Sequence, residues 1–226
     1  MITFDRVSKS FDTLKVFDAL SLHIAANEIV AVVGPSGSGK TTLLKMVTGI
    51  VRPDEGSIVV AEGAVGYVFQ EPRLLPWRTA LDNVAAVLRA QGVEKAEARR
   101  RAAGWLDRVG LAGFERYHPA ELSGGMAQRV SIARAFAVEP RILLLDEPFS
   151  NVDQALKGSL IEILRGVMLE RRTTAMYVTH DLSEALRLAD RVVELTPDRR
   201  LRELDLSDRA AVARRWLAGS VGELLG

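Results

Sequence analysis

The chain has 226 residues, 48% of them hydrophobic and 26% charged, the ordinary balance of a globular protein with one substantial core. Its net charge of +1 gives no field strong enough to recruit nucleic acid or an anionic membrane. The absence of cysteine removes disulfides, thiol nucleophiles and cysteine-based zinc sites, and no apolar run approaches the ~20 residues of a transmembrane helix. The N-terminus lacks the charge-then-apolar layout of a signal peptide, so the expectation is a soluble chain in a reducing, cytoplasmic setting.

In chain order, Ile2, Phe4 and Val7, then Val16, Phe17, Leu20 and Leu22, alternate as antiparallel strands up to about Ile24. Phe11 falls in the turn between them and reads either as core or as an aromatic that stacks on a nucleotide base. Ile29-Val30-Ala31-Val32-Val33 is a β-branched run that predicts a buried strand, and Thr42-Leu43-Leu44-Lys45-Met46-Val47 predicts a helix. Between them stands Gly34-Pro35-Ser36-Gly37-Ser38-Gly39-Lys40-Thr41, the G-x-x-x-x-G-K-T phosphate-loop pattern in the strand-turn-helix setting it requires. Glycines there let the backbone approach an anion, successive N–H groups form a nest, and the following helix adds its dipole. Lys40 supplies an ammonium for the β and γ phosphates, and the Thr41 hydroxyl is placed for Mg²⁺.

Two further strands are expected at residues 57–60 and 65–69, the second ending on Gln70. That amide is either a surface glutamine or a ligand at the carboxyl edge of an α/β sheet. Glu71-Pro72-Arg73-Leu74-Leu75-Pro76-Trp77 is a loop with more apolar surface than a free loop carries, so it tucks into its own core or serves as a docking surface. Residues 80–109 are helical in pattern, with Asp82 or Thr79 as cap and a solvated charge run at Glu97-Ala98-Arg99-Arg100-Arg101. Gly110, Gly113 and His118-Pro119 close this segment.

Leu122-Ser123-Gly124-Gly125-Met126 opens another helix, with Met126, Val130, Ala133 and Ala137 at helical spacing. Ser123, Gly124 and Gly125 read either as a plain N-cap or as a second anion site at a helix start. Ile142-Leu143-Leu144-Leu145 predicts a strand buried on both faces, with Asp146 and Glu147 at its carboxyl end. In a phosphate-loop protein Asp146 holds the Mg²⁺ shell, and Glu147 orients and deprotonates the attacking water. Ser150-Asn151-Val152-Asp153 leads into an amphipathic helix with Leu156, Leu160, Ile163, Leu164 and Val167 on its buried stripe. Residues 173–179 form a strand ending at His180, a γ-phosphate sensor or a bystander, and Asp181 and Ser183 start the helix 182–188. Residues 191–195 read as the last strand, and Ser207 or Asp208 through Trp216 as a closing helix.

The order of these motifs, more than any one of them, closely resembles the nucleotide-binding subunit of ATP-binding-cassette (ABC) transporters, from about Ile2 to Leu195. The resemblance implies an α/β fold: a P-loop NTPase (RecA-like) core at about 1–79 and 135–226, an N-terminal antiparallel β subdomain, and an inserted α-helical signature subdomain at about 80–134, in one domain. It assigns Gly34, Pro35, Ser36, Gly37, Ser38, Gly39, Lys40, Thr41 and Thr42 to the Walker A loop and Gln70 to the Q-loop amide that reaches Mg²⁺. Leu122 to Met126 match the signature motif, Asp146 and Glu147 Walker B and the catalytic base, Ser150 to Asp153 the D-loop, and His180 the switch histidine. Phe11 falls at the base-stacking position. Two departures are Met126, where the family usually has Gln, and Asn151-Val152 in the D-loop.

The same resemblance implies ATP and Mg²⁺ as cofactors, and a homodimer or paired ATPase subunit in which Ser123, Gly124 and Gly125 of one copy cap the γ-phosphate held by the other. It implies integral-membrane permease subunits that receive the loop 71–79, a peripheral location on the cytoplasmic face of the membrane, an indirect link to an extracytoplasmic solute-binding protein, no nucleic acid, and no appended regulatory domain. Met126, Leu74-Leu75-Pro76-Trp77-Arg78-Thr79 and Asp82-Asn83-Val84 point to the nitrate/sulfonate/taurine importer branch. The rival reading is a soluble ABC-type ATPase acting on nucleic acid or the ribosome; the near-neutral charge and the lack of tandem domains or a coiled-coil insert speak against it.

Overall fold

The computed structural model describes residues 1–150, 152–196, 198–210, 212–214 and 216, in two units: residues 1–61 with the chain from 176 onward, and residues 62–175. In the first unit the alternating N-terminal residues form β1 (Ile2–Phe11) and β2 (Leu14–Ile24), paired antiparallel with Ile2 opposite Ile24 and Phe4 opposite Leu22. The register shifts after Phe4, where Arg6 takes a positive φ of 47° and its N–H donates to Ser21 Oγ at 2.9 Å. A third strand, introduced after the next helix as β4 (Glu55–Val60), completes the sheet on the far side of β1. Ile2, Phe4, Val7, Phe17, Leu20, Leu22 and Ile24 are buried, so period-two patterning gives this sheet one apolar face.

All five residues of β3 (Ile29–Val33) are buried, as a parallel strand covered on both faces must be. It feeds the glycine loop and α1 (Lys40–Val47). β3 pairs in parallel with β8 (Arg191–Leu195), and β8 pairs antiparallel with β9 (Leu201–Glu203). β9 is absent from the sequence reading; three residues, two of them charged, carry no alternation, and the charges suit an exposed sheet edge. β7 (Thr174–Thr179) is buried throughout, and its segment from Met176 neighbours β3, giving the order β7-β3-β8-β9 in this unit. α6 (Leu182–Leu188) starts on Asp181, whose carboxylate accepts from the N–H groups of Ser183 and Glu184, and packs on β3.

Arg191 gathers this unit: Nε lies 2.7 Å from the Glu28 carboxylate, Nη1 3.2 Å from Glu203, and Nη2 donates to the His23 carbonyl. Burial pushes the Glu28 carboxyl up, but the Arg191 hydrogen bond, the Ala25 N–H and the Arg191 charge together outweigh it and hold the group below its ordinary value.

The second unit contains β5 (Val65–Val68) and β6 (Ile142–Asp146), parallel, with Val68 opposite Leu145. Helices α2 (Ala80–Ala90), α3 (Lys95–Arg108) and α4 (Gly124–Ala137) pack on one another, with the Trp105 and Phe136 rings stacked at 5.6 Å. The helical segment expected at 80–109 resolves into two helices, broken at Gly92 (φ 87°) and restarted by Glu94, whose side chain accepts from the N–H groups of Ala96 and Glu97. Thr79 caps α2 by accepting from the Asp82 N–H at 3.2 Å. α5 (Gln154–Glu170) buries Leu160, Ile161, Leu164, Val167 and Met168, whereas Leu156, expected on that stripe, is 42% exposed. Asn151, the D-loop departure, lies outside the described residues, as does part of the expected closing helix, which is preceded by a 3-10 turn at Leu206–Asp208.

Candidate nucleotide site

β3 drives straight into the phosphate loop, and the glycines there have conformations that only glycine adopts without strain. Gly37 and Gly39 sit at φ 78° and 105°. A Cβ at Gly34 would come 2.7 Å from the Leu195 carbonyl oxygen. The Ser38 N–H closes on the Pro35 carbonyl at 3.3 Å, while Pro35, Ser36 and Gly37 face solvent. Lys40 is only 5% exposed and donates from Nζ to the carbonyls of Gly34 and Pro35, both at 2.8 Å. The loop therefore wraps around its own ammonium, which fixes a positive charge at the head of α1 beside the helix dipole. Thr41 and Thr42 follow in the first turn, half-buried. Ser38 Oγ is buried without a hydrogen-bond partner, a polar group of the kind a phosphate oxygen satisfies.

Gly39 makes a sharp test of this packing, because a Cβ there would lie 2.6 Å from Val16 Cγ1 and 3.0 Å from Phe17 Cζ at a φ of 105°. Gly39→Ala is expected to lower stability by about 1–3 kcal/mol through strain and overpacking. Denaturant unfolding reads this; a midpoint equal to that of the parent would count against it.

Phe11 lies at the end of β1 and is 44% exposed, so it is not core. The Lys9 ammonium stands 5.2 Å from its ring centroid and 2.7 Å from Asp54 Oδ1, and the Ser10 N–H donates to the other oxygen of Asp54. His180 is exposed directly after β7, and its turn is fastened on both sides. The Asp181 N–H donates to Thr179 Oγ1 at 3.0 Å, and the Thr179 hydroxyl donates to the buried Glu184 carboxylate at 3.1 Å. The Tyr177 hydroxyl also donates to Glu184, and burial pushes that phenol well above its ordinary pKa. In the first unit, then, the phosphate loop and His180 each leave the carboxyl end of one of two neighbouring strands.

In the second unit the parallel register of β5 and β6 brings Gln70 and the Asp146-Glu147 pair to one sheet edge. Gln70 is exposed, Asp146 is 5% exposed, and Glu147 is half-buried. The Tyr67 hydroxyl points at Asp146 Oδ2 across 3.4 Å, and burial followed by the nearby Asp146 charge pushes the phenol up. Glu147 takes a positive φ of 43°, so its carboxylate leaves the strand line at a strained position of the kind found in functional turns. Ser123, at the start of α4, accepts from the Met126 N–H at 3.2 Å, with Gly124 exposed beside it. In the loop after Gln70, Leu74 and Leu75 are half-buried while Trp77 is 72% exposed. Asn83, 1% exposed, accepts from the Leu75 N–H at 2.7 Å and donates to the carbonyls of Leu75, Arg78 and Thr79.

Sequence reasoning missed four residues here: Tyr67 and Glu184, and on α4 Gln128 and Arg134, which donate to the main-chain carbonyls of Phe69 and of Pro72 and Arg73 on either side of Gln70. For Arg134 the signal was present, a lone arginine in the stretch from Ile132 to Ala137 that is otherwise apolar.

A buried parallel strand that opens into a glycine loop around a lysine, with a second apolar strand ending on two acids, defines a P-loop nucleotide-binding protein. A family model described as ABC transporter matches residues 17–150. The chain belongs to the ABC transporter family.

It is 46% identical over 197 residues to an aliphatic sulfonates import ATP-binding protein, SsuB 2, of Burkholderia cenocepacia, covering 84% of this chain and 72% of that one. It is 38% identical over 240 residues to the formylaminopyrimidine import ATP-binding protein ThiZ of Halalkalibacterium halodurans, covering 100% and 96%. Against the Fe(3+) ions import ATP-binding protein FbpC of Agrobacterium fabrum, identity is 44% over 202 residues, and the match takes in 85% of this chain but only 57% of that protein's length. Among solved structures, a dimeric post-hydrolysis state of an ATP-binding cassette bound to ADP and phosphate superposes with a TM-score of 0.84 at 30% identity, over 91% of this chain and 99% of that one.

Proposed function

We propose that this chain is the ATP-binding and hydrolysing subunit of an importer, energising uptake of a small sulfonate-, taurine- or nitrate-like solute through separate permease subunits. The observation that carries the reading is the presence on one chain of two phosphate-directed corners, the loop around Lys40 and the Ser123-Gly124-Gly125 start of α4, together with the acid pair 146–147. Support for the solute class comes from the sulfonate-import relative. The helical subdomain at about 80–134 carries Ser123 and is inserted into a core at about 1–79 and 135–226.

In this reading Phe11 stacks the base, residues 34–42 bind the phosphates, and Lys40 turns its ammonium toward the β and γ oxygens. Thr41, Gln70 and Asp146 hold Mg²⁺. A hydroxyl, an amide oxygen and a carboxylate are the hard oxygen donors that Mg²⁺ takes, the rest of its shell coming from phosphate and water. When bound, that ion supplies charge neutralisation on the phosphates. Glu147 takes the proton from the attacking water, and His180 contacts the γ-phosphate. Two copies face head to tail, each offering Ser123, Gly124 and Gly125 to the other's nucleotide, so ATP is part of the interface; a dimeric ATP-binding cassette among the similar solved structures supports this. No helix among the described residues is long and apolar enough to cross a membrane. In this reading the chain sits on the cytoplasmic face against the permease, for which the exposed Trp77 loop is the docking segment.

The test is kinetic order. At dilutions below the dimerisation constant, phosphate release is expected to rise with the square of protein concentration, and Ser123→Arg is expected to remove that dependence with the activity. A rate strictly linear in concentration down to monomer dilutions would reject the shared site.

A further inference from the structure

The start of the loop that carries Gln70 is tied to α4 by two side chains, while Asn83 of α2 holds its later part at Leu75 and Arg78. Gln128, fully buried on α4, donates from Nε2 to the Phe69 carbonyl at 3.0 Å. Two turns further along the same helix, Arg134 donates from Nη2 to the Pro72 carbonyl and from Nη1 to the Arg73 carbonyl, both at 2.8 Å. Gln70 and Glu71 are thus a two-residue span between two tethers. Around this span the Arg73 guanidinium lies 4.5 Å from the Phe69 ring centroid, Arg73 adopts a left-handed φ of 46°, and Pro72 has no N–H to pair elsewhere. Burial pulls the Arg134 guanidinium below its ordinary pKa, which is the cost of bringing this cation inward to meet main-chain carbonyls. A two-pronged, charge-assisted fork of this kind fixes geometry more tightly than a single bond.

We propose that Arg134 and Gln128 are positioning residues for Gln70, tying its loop to the helix that begins at Ser123 so that the amide and the serine corner move as one body. The inference rests on the reading of Gln70 as a ligand of the nucleotide's Mg²⁺. A side chain two residues from a tether cannot relocate by more than its own reach unless α4 rotates with it or the fork opens. Either event is felt at both phosphate-directed groups of the second unit at once. Arg134 acts through Gln70 and touches no substrate.

The experiment titrates Mg²⁺ into the full-length chain at saturating ATP and reads the activation constant for phosphate release. Arg134→Met is expected to raise that constant about tenfold, as loss of an outer-shell partner does. Arg134→Lys, which keeps the charge and one hydrogen bond and guards against a variant that fails to fold, is expected to raise it by less. ATP affinity measured in EDTA is expected to stay at the parent value in both. In a Gln70→Ala background, Arg134→Met is expected to add no further shift, because the two act as one unit.

An activation constant unchanged by either Arg134 variant, while Gln70→Ala shifts it, overturns the inference and leaves the role of Gln70 standing. A further shift of the same size in the Gln70→Ala background also overturns it. Unchanged activation in Gln70→Ala itself removes the role assigned to Gln70, and the inference with it.

Discussion

Glu147→Gln is expected to bind ATP as the parent does and to release phosphate at least about 10²–10⁴-fold more slowly, the share a positioned general base contributes. The substitution changes one oxygen to an amide and leaves side-chain volume intact. It therefore leaves the strained backbone at φ 43° and the neighbouring Asp146 as they are. What it removes is the capacity to take a proton from water. ATP then persists in the closed pair, and the variant is expected to accumulate as a nucleotide-loaded dimer in size-exclusion chromatography with ATP and Mg²⁺. Phosphate release near the parent rate would remove Glu147 from the role of base and leave the proton to another group.

Lys40→Ala is expected to weaken nucleotide binding by about 10–100-fold, the equivalent of losing one or two hydrogen bonds to a charged group. Calorimetric titration with ATP reads it. The variant separates two functions of the same ammonium. In the structure Nζ donates to the carbonyls of Gly34 and Pro35, so its loss also unpins the loop from within. Stability of the nucleotide-free chain is accordingly expected to fall by about 1–2 kcal/mol. Affinity equal to the parent's would mean that the nest of N–H groups binds phosphate without the lysine.

Strands buried on both faces were the most legible part of the fold. β3, β6 and β7 are short apolar runs ending in chemistry-bearing residues, and solvent exclusion on both faces leaves them no other composition. The glycine loop was equally plain, since positive φ and close approach to Leu195 leave a residue-level mark. α4 was harder. The spacing of Met126, Val130, Ala133 and Ala137 marks the helix, but Gln128 and Ser131 are buried with Val130, Ile132, Ala133, Ala135, Phe136 and Ala137, so the apolar stripe understates how much of it is covered. Its two tethers reach carbonyls some sixty residues away in the chain, so the lone arginine in an apolar stretch marks Arg134 as drawn inward without saying what it meets. Glu184 was hidden for the opposite reason. It sits in the first turn of α6, where an acid reads as a partner for the helix dipole, and the hydroxyls of Tyr177 and Thr179 that turn it inward become neighbours only once β7 is laid down.

The pairing of β3 with β8 joins residues more than 160 positions apart, and the Ile29 N–H donates to the Asp190 carboxylate across the same interval. A ribosome has delivered the phosphate loop long before it delivers that partner. The nascent chain therefore carries its ligand-gripping turn on a strand with neither neighbour in place for most of its synthesis, and closing so long a loop is a late entropic step in maturation. The sheet that backs the phosphate loop is thus closed only once the segments of β7 and β8 have been made, so a chain cut short before them is expected to hold nucleotide weakly.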